Sequence, residues 1–254
     1  QNLPFTICSG QYTQDTIETT IGAVSTWSAQ SNPNILGETQ TIQNSSVIND
    51  ALINTSNVQQ VVVYDVNLIS QPYGCNSGPY SILVSVQPPV SADFDVINAL
   101  NCSDVPILFD NNSVGNSSYE WVFGDGNTAT TYNGNNVYEN FGLYQVTLTA
   151  TDASTLCQDS MSMDVEVLES PEVGFTASIT EACEFVNVIF TDTIQDPLTT
   201  VYWTFGDGEI SNQYGQVDHQ FAQPGCYDIT LYVTGTNGCT VADTAFSQVC
   251  VIPA

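Results

Sequence analysis

The chain has 254 residues and contains no Lys and no Arg, against 27 Asp and Glu and one His, for a formal net charge of −27. Without basic side chains it cannot neutralise phosphates, so nucleic acid is excluded as a partner, and anionic membrane surfaces repel it. A lysine Schiff base, an arginine clamp and a P-loop lysine are excluded for the same reason. No run of about 20 apolar residues occurs, so no membrane insertion is expected.

Residues 1–89 form the first predicted module. Alternating, β-branched patterns predict strands at Val61–Val66 and Ser81–Val86, and a Pro-Pro pair ends the segment. Trp27 follows a β-prone stretch, and we expect it to fill the core rather than to stack on a sugar.

An internal repeat defines two further modules, at 90–169 and 170–254. Tyr-Glu-Trp-Val-Phe-Gly-Asp-Gly at 119–126 returns as Val-Tyr-Trp-Thr-Phe-Gly-Asp-Gly at 201–208, and each copy is followed by an alternating strand. The Gly-Asp-Gly segments predict tight hairpin turns, because Asp and Gly tolerate positive φ angles. The residues of the repeated motif are Trp121, Phe123, Gly124, Asp125, Gly126, Trp203, Phe205, Gly206, Asp207 and Gly208.

Short strands at even spacing, with no helical stripe, predict an all-β chain of tandem, antiparallel, immunoglobulin-like β-sandwich modules. The chain starts without Met or a signal peptide, and its last residues resemble the start of another proline-containing linker. We therefore expect a segment of a longer protein in which further modules follow.

Eight cysteines without a Cys-x-x-Cys pair predict disulfides rather than a metal or redox site. Cysteines stand at equal places relative to the repeated Trp in the second and third modules, which predicts one bridge within each. The remaining cysteines are paired within their own modules. The predicted bridges are Cys8–Cys75, Cys102–Cys157, Cys183–Cys239 and Cys226–Cys250.

Trp-x-Phe-Gly-Asp-Gly followed by Tyr-x-Val-x-Leu resembles the PKD (polycystic kidney disease) family of immunoglobulin-like domains over about 160 residues in two modules. The first module is similar to the PKD-like domains of Bacteroidetes surface proteins at residues 7–10 and 74–79. The resemblance implies extracellular spacers and adhesins, including gliding-type adhesins exported by the type IX system. It also implies modules attached to secreted proteases and chitinases.

Calcium is the only cofactor that the sequence suggests, because the uncompensated carboxylates include hard oxygen ligands. Asp125 and Asp207 are candidate ligands, and the competing interpretation is that each closes its own turn. Asp93, Asp95 and Asp104 lie near the start of the second module, where a calcium ion would stiffen the linker.

Catalysis is not expected from this chain. His219 is the single His, no Gly-x-Ser-x-Gly motif is present, and the cysteines are assigned to bridges. Trp121 and Trp203 are interpreted as core residues, with sugar stacking as the alternative.

Four Asp-Ser/Thr-hydrophobic triplets resemble the O-glycosylation sequon of Bacteroidetes, although a Thr-rich β protein also produces such triplets by chance. The candidate glycosylation sites are Thr16, Ser160, Thr193 and Thr244.

These features favour an extracellular, cell-surface structural role as a stalk, fibre or filament segment of a large secreted bacterial protein. Self-association and neighbouring modules are the expected contacts, and the absence of Lys and Arg makes the chain resistant to trypsin-like proteases. The first alternative is an adhesin for a surface glycan or a protein, with exposed aromatic residues such as Tyr132, Tyr138 or Tyr214. The second is an accessory module string of a secreted hydrolase.

Overall fold

A computed structural model of the protein describes residues 4–19, 22–115, 118–183, 185–195 and 200–253. These residues contain 23 strands and no helix, so the predicted all-β, immunoglobulin-like fold is confirmed. Accordingly, no helix within the described ranges is long and apolar enough to cross a membrane.

The first module is built on a four-stranded sheet in the order β1-β8-β7-β3, in which β1 runs parallel to β8. Two small two-stranded sheets, β2-β5 and β4-β6, cover the same core, which includes Trp27, Tyr64 and Val84. Its strands are β1 (Phe5–Ile7), β2 (Asp15–Thr16), β3 (Ala23–Ala29), β4 (Ile35–Leu36), β5 (Val47–Ile48), β6 (Ile53–Asn54), β7 (Gln60–Ser70) and β8 (Tyr80–Val86).

The second module is a two-sheet sandwich with the orders β13-β10-β9 and β12-β11-β14-β15. Its core packs Trp121 against Phe94 and Phe109, with ring centroids 5.2 and 5.8 Å from the Trp ring. The strands are β9 (Phe94–Val96), β10 (Pro106–Asn111), β11 (Ser118–Val122), β12 (Thr128–Ala129), β13 (Gly134–Val137), β14 (Gly142–Thr151) and β15 (Gln158–Val167).

The third module repeats this plan with sheets ordered β16-β18-β21 and β17-β23-β22-β19-β20. Trp203 packs against Phe175 and Phe190 at 5.4 and 6.1 Å, as Trp121 does in the second module. The strands are β16 (Phe175–Ala177), β17 (Glu181–Cys183), β18 (Asn187–Asp192), β19 (Thr200–Thr204), β20 (Ile210–Ser211), β21 (Gln216–Gln220), β22 (Gly225–Thr234) and β23 (Thr240–Ile252).

The alternating pattern of the repeat explains why each sheet of a sandwich has one buried and one solvated face. On β14, Val146, Leu148 and Ala150 are buried, while the residues between them are partly exposed. Leu148 lies opposite Trp121 on β11, and both side chains are fully buried in the core. A period of two places every second side chain on the same face, which is why this pattern specifies the register.

Candidate functional site at the module junctions

Two of the three disulfides join neighbouring modules. Cys8 of the first module is bonded to Cys157 of the second, and Cys102 of the second is bonded to Cys239 of the third. The Cα atoms lie 5.6 and 5.8 Å apart, which is an ordinary disulfide separation. The single bridge inside a module is Cys226–Cys250, the pair predicted there, between opposite residues of β22 and β23.

The predicted bridges Cys8–Cys75, Cys102–Cys157 and Cys183–Cys239 are therefore wrong, and Cys75 and Cys183 are free and exposed. Strand length gives the physical reason in the second module. Cys157 directly precedes the ten residues of β15, whereas Cys102 lies beside Leu168 directly after that strand. Ten strand residues span about 33 Å, far beyond the reach of a disulfide.

The same separation holds in the other modules. Cys239 directly precedes β23, whose 13 residues span about 43 Å, and Cys183 lies opposite Ile252 at its far end. Cys75 lies in the loop before β8, and Cys8 follows Ile7, which pairs with the last residue of that strand. Each module thus carries one cysteine in the loop before its last strand and one beside the end of that strand, and the third module carries the Cys226–Cys250 pair in addition.

We call the two positions the hairpin cysteine and the edge-strand cysteine. The hairpin cysteine lies in the loop before the last strand of a module. The edge-strand cysteine lies on or beside a short parallel segment next to the end of that strand, and in the first two modules the chain continues from there into the next module. Both junction bridges join the edge-strand cysteine of one module to the hairpin cysteine of the next. The hairpin cysteines are Cys75, Cys157 and Cys239, and the edge-strand cysteines are Cys8, Cys102 and Cys183.

The second junction also has direct non-covalent contacts. Asn237 Nδ2 donates a hydrogen bond to the Glu169 carbonyl at 2.8 Å, and Asn237 Oδ1 accepts one from the Cys239 amide at 3.1 Å. Gly238 has a φ of +88°, and a Cβ there would lie 3.0 Å from Leu100 Cδ1. A glycine at this place therefore lets the hairpin approach the preceding module closely.

Gly238→Ala is expected to destabilise this junction more than Gly208→Ala does. Both glycines have a positive φ, but a Cβ at Gly208 meets nothing within 4 Å, so only Gly238→Ala adds the contact with Leu100. We expect a loss of about 1 kcal/mol from backbone strain for each variant and a further loss for Gly238→Ala. Thermal unfolding measures both, and the difference should vanish when Leu100 is Ala. If Gly238→Ala and Gly208→Ala were equally destabilising in the protein that keeps Leu100, this result would contradict the contact between residue 238 and Leu100.

At the first junction the linker rests on the second module. Ser91 forms a β-bridge with Val114, and the Ala92 amide donates to Asp159 Oδ2 at 2.8 Å. A Cβ at Gly115 would lie 2.6 Å from the Pro89 carbonyl oxygen, so this position also requires a glycine. These contacts, together with the Cys8–Cys157 bridge, fix the linker against the second module.

The Gly-Asp-Gly carboxylates close their own turns. Asp125 Oδ1 accepts the Asn127 amide at 2.9 Å, and Asp207 Oδ1 accepts the Glu209 amide at 3.0 Å. Asp125 Oδ2 also accepts hydrogen bonds from the side-chain amides of Asn127 and Asn136, at 2.9 and 2.7 Å. Such bonding accounts for Asp at this position without a metal.

The candidate calcium ligands do not converge. Asp93 and Asp95 lie where β10 ends, and Asp95 Oδ2 accepts a hydrogen bond from Asn112. Asp104 precedes the start of β10, and the six residues of that strand span about 20 Å. In the described ranges no three His, Cys, Asp or Glu side chains form a group that could hold a metal ion.

His219 replaces an asparagine of the preceding module as the partner of the turn aspartate. Its Nε2 lies 2.7 Å from Asp207 Oδ2, and its ring stacks on Phe205 with centroids 4.0 Å apart. In the second module Asn136 Nδ2 donates to Asp125 Oδ2 at 2.7 Å. The single histidine therefore supports a turn, a role that its sequence context did not reveal.

His219→Asn is expected to cost about 0.5–1 kcal/mol, because it loses the ring stacking on Phe205 but keeps an amide partner for Asp207, as in the second module. His219→Ala removes both the Asp207 partner and the ring stacking, and we expect it to cost about 1–2 kcal/mol. Urea unfolding of both variants measures the difference. Equal losses would show that the hydrogen bond to Asp207 contributes nothing.

The three aromatic residues proposed as exposed ligand contacts differ in their exposure to solvent. Tyr138 is fully buried and donates to the Phe123 carbonyl at 3.0 Å, so its prediction as a surface residue is wrong. Tyr132 and Tyr214 are 56% and 42% exposed, and each hydroxyl donates to a backbone carbonyl at 3.0 Å. Trp121, Trp203 and Trp27 are buried, so none presents a ring for sugar stacking.

The buried tyrosines make the fold sensitive to alkaline pH. Burial raises the pKa of Tyr138 to about 12, and burial with a hydrogen bond to Asp50 raises the pKa of Tyr64 further. A raised folded-state pKa gives stability that is complete below the ordinary value of 10.0 and is lost as pH rises through the folded pKa. We expect the melting temperature to fall between pH 10 and about 12. In Tyr138→Phe the melting temperature should fall less over this pH range. A variant with the same pH profile as the wild type would contradict this.

The four candidate O-glycosylation residues lie on strands or directly beside them. Thr16, Ser160 and Thr193 are exposed, whereas Thr244 is half-buried and its hydroxyl lies 2.9 Å from that of Thr230. Modification at these positions stays a prediction.

Fold and junction geometry together define a string of disulfide-linked immunoglobulin-like domains. Residues 5–90 match the PKD-like domain family, and residues 87–167 and 169–251 match the PKD domain family. These matches cover nearly all of the chain, so the chain belongs to the PKD family, as the repeated motif predicted.

Several solved structures are similar to parts of the chain. A PKD1 domain from the Vibrio cholerae metalloprotease PrtV is 31% identical over 30% of this chain and 94% of that one, with a TM-score of 0.27. Carbohydrate-binding modules of the β-sandwich superfamily are 18% identical over 57% of this chain and 55% of that one, with a TM-score of 0.31. The eight N-terminal Ig domains of Down syndrome cell adhesion molecule are 12% identical over 98% of this chain and 35% of that one, with a TM-score of 0.38. All three TM-scores are low, so the family matches carry the assignment.

Proposed function

We propose that the chain is an extracellular structural segment, a stalk or filament element of a large secreted surface protein, without catalytic activity. The observation that carries the proposal is the pair of junction bridges, Cys8–Cys157 and Cys102–Cys239. A bridge inside a module stabilises that module alone, whereas a bridge between modules also restricts their relative movement. Such a string suits a spacer that must keep its length.

The composition supports the same role. Disulfides persist in oxidising surroundings outside the cytoplasm. A chain without Lys and Arg offers no site to trypsin-like proteases, and its net charge of −27 keeps individual strings apart in solution. Both properties suit a long-lived, exposed molecule.

Electron microscopy of single chains tests the proposal. Oxidised chains should show one narrow distribution of end-to-end distances and of angles between modules. Cys102→Ser with Cys239→Ser removes the second junction bridge and should broaden the angle at that junction. The matched control is Cys226→Ser with Cys250→Ser, which removes the bridge inside the third module and should leave the angles unchanged. Equally broad angles in wild type and junction variant would overturn the structural proposal.

A binding role is the second candidate, and two shallow, tyrosine-lined clefts favour it. In the first cleft the rings of Tyr119 and Tyr132 lie 5.2 Å apart. In the second, Tyr202 and Tyr214 line the equivalent surface of the third module. Partly exposed aromatic rings beside hydroxyl groups suit a sugar ring, which needs an apolar face and hydrogen-bond partners.

Glycan-array binding distinguishes this candidate. Tyr132→Ala combined with Tyr214→Ala should abolish any glycan binding by the clefts. Tyr73→Ala, at an 85% exposed tyrosine outside both clefts, should preserve it. No binding by the wild type, or equal loss in both variants, would exclude the clefts as the glycan site.

A further inference from the structure

Two covalent connections cross each junction between modules, the peptide linker and a bridge. At the first junction the bridge is Cys8–Cys157, and at the second it is Cys102–Cys239. When two folded modules are pulled apart, the shortest covalent connections between them become taut first, because the reach of a chain segment is fixed by its number of residues. The course of these connections through the modules therefore decides which residues carry tension.

Both connections enter the second module at one end of β15 and leave it at the other. Cys157 directly precedes β15, and the first linker is held at the same end, where the Ala92 amide donates to Asp159 Oδ2 at 2.8 Å. At the opposite end Leu168 directly follows β15 and lies parallel to Cys102. The two ends are about 33 Å apart, the span of the strand. Tension between the neighbouring modules is thus applied along β15.

Two short segments of the second module span this distance. Residues 91–102 lead from the first linker to the cysteine of the second bridge, and residues 157–168 lead from the cysteine of the first bridge to the second linker. Each segment reaches at most about 40 Å when fully extended. The two junctions can therefore separate by less than about 10 Å, and residues 103–156 lie outside both segments.

The two segments continue into the neighbouring modules as two covalent paths. The first path comprises residues 75–102 and 239–252, joined by the second bridge, and contains the last strands β8 and β23. The second path comprises residues 5–8 and 157–183, joined by the first bridge, and contains the last strand β15. Each path crosses one junction through the linker and the other through the bridge.

Short parallel contacts hold the two paths side by side. In the first module β1 on the second path is parallel to β8 on the first path. In the second module Cys102 is parallel to Leu168, and in the third β17 is parallel to β23. Every edge-strand cysteine thus lies where the two paths touch, so force passes between them only through these contacts or through the rest of a sandwich.

We propose that the two covalent paths carry the tension in the string, and that the rest of each sandwich stays unloaded and folded. A stretch of chain outside a taut connection is not extended by the force, so residues 103–156 keep their fold while both segments of the second module are intact. The inference deepens the proposed structural role and rests on it, since it explains how the string keeps its length under tension.

Force spectroscopy with an anchor on the first path tests the proposal. Cys75 is an exposed free thiol, and in the Cys183→Ser variant a maleimide-linked DNA handle reacts with Cys75 alone. With the second handle at the C-terminal end, the shortest connection stays on the first path and contains about 41 residues. We expect the oxidised molecule to extend to about 140 Å at ~3.5 Å per residue, without an unfolding step.

An anchor at the N-terminal end is the contrasting geometry, because it loads the second path. The connection to the C-terminal handle must then pass from Cys157 to Cys102 through residues 103–156. We expect one unfolding step, in which this stretch lengthens from about 33 Å to about 190 Å. The first and third modules should give no step of their own, because most of their residues lie outside this connection.

Removal of the second bridge is the variant with the largest expected effect. For the anchor at Cys75, Cys102→Ser with Cys239→Ser should lengthen the connection to about 163 residues, or about 570 Å, a fourfold increase. The matched control is Cys226→Ser with Cys250→Ser, which removes a bridge that does not shorten the connection and should leave about 140 Å.

Two results would overturn the proposal. One is an unfolding step of about 160 Å when the oxidised molecule is pulled from Cys75, since residues 103–156 would then be under tension. The other is a variant without the second bridge that extends no further than its control. Neither result depends on the angles between modules in single chains, which test the proposed structural role separately.

Discussion

Reduction is expected to increase the fully extended length of the unfolded chain more than threefold. In the oxidised chain, the shortest covalent path from residue 4 to residue 253 crosses the Cys8–Cys157 bridge and returns to Cys102. It then crosses to Cys239 and continues to the end. That path contains about 73 residues, or about 260 Å at ~3.5 Å per residue, whereas the reduced path contains about 249 residues, or about 870 Å. Single-molecule force spectroscopy measures both lengths.

A variant with Cys75→Ser and Cys183→Ser is the matched control for this experiment. Both thiols are free, so the oxidised variant should extend as far as the oxidised wild type. If all eight cysteines were paired within modules, the same variant would lose two bridges and extend to about 600 Å. An oxidised variant that is longer than the wild type would therefore contradict the junction bridges.

Trp121→Ala is expected to have the largest effect of a single substitution on stability. The side chain is fully buried, contacts Phe94 and Phe109, and donates from Nε1 to the Thr131 carbonyl at 3.1 Å. Truncation leaves a large cavity and an unpaired carbonyl, which together cost about 3–5 kcal/mol. The melting temperature of the second module should fall by at least ~12 °C. Differential scanning calorimetry resolves this shift.

The control for that prediction is Val122→Ala. Val122 is the next residue on β11, but its side chain points away from the core and is 42% exposed. We expect a change of no more than about 0.5 kcal/mol, as for most surface substitutions. A comparable loss in both variants would show that strand propensity, rather than burial, determines stability at this strand.

The fold was predictable because its signals are local and repeated. Trp121 and Trp203 stand in the same motif, and the strands that follow alternate with a period of two, so the sequence alone indicates which face is buried. Tyr138 was misassigned because an isolated tyrosine has no such pattern around it. Its burial depends on β13 packing into the core, which is a tertiary contact.

The bridges were not predictable from equal spacing. When successive modules carry cysteines at the same two places, the spacing is equally compatible with bonds within each module and with bonds from each module to the next. The structure decides between them because β15 separates Cys102 from Cys157 by its full length. That separation follows from the short parallel segment that carries Cys102, and parallel pairing of distant segments leaves no turn signal in the sequence.

The most direct test of the covalent junctions is peptide mapping of the unreduced, pepsin-digested chain, since trypsin has no site to cut. Free thiols are alkylated first, and linked peptides are then identified by mass spectrometry. We expect peptides that join Cys8 to Cys157 and Cys102 to Cys239, with alkylated Cys75 and Cys183 in single chains. Peptides that join Cys8 to Cys75 and Cys102 to Cys157 would contradict the account, because each module would then be closed on itself.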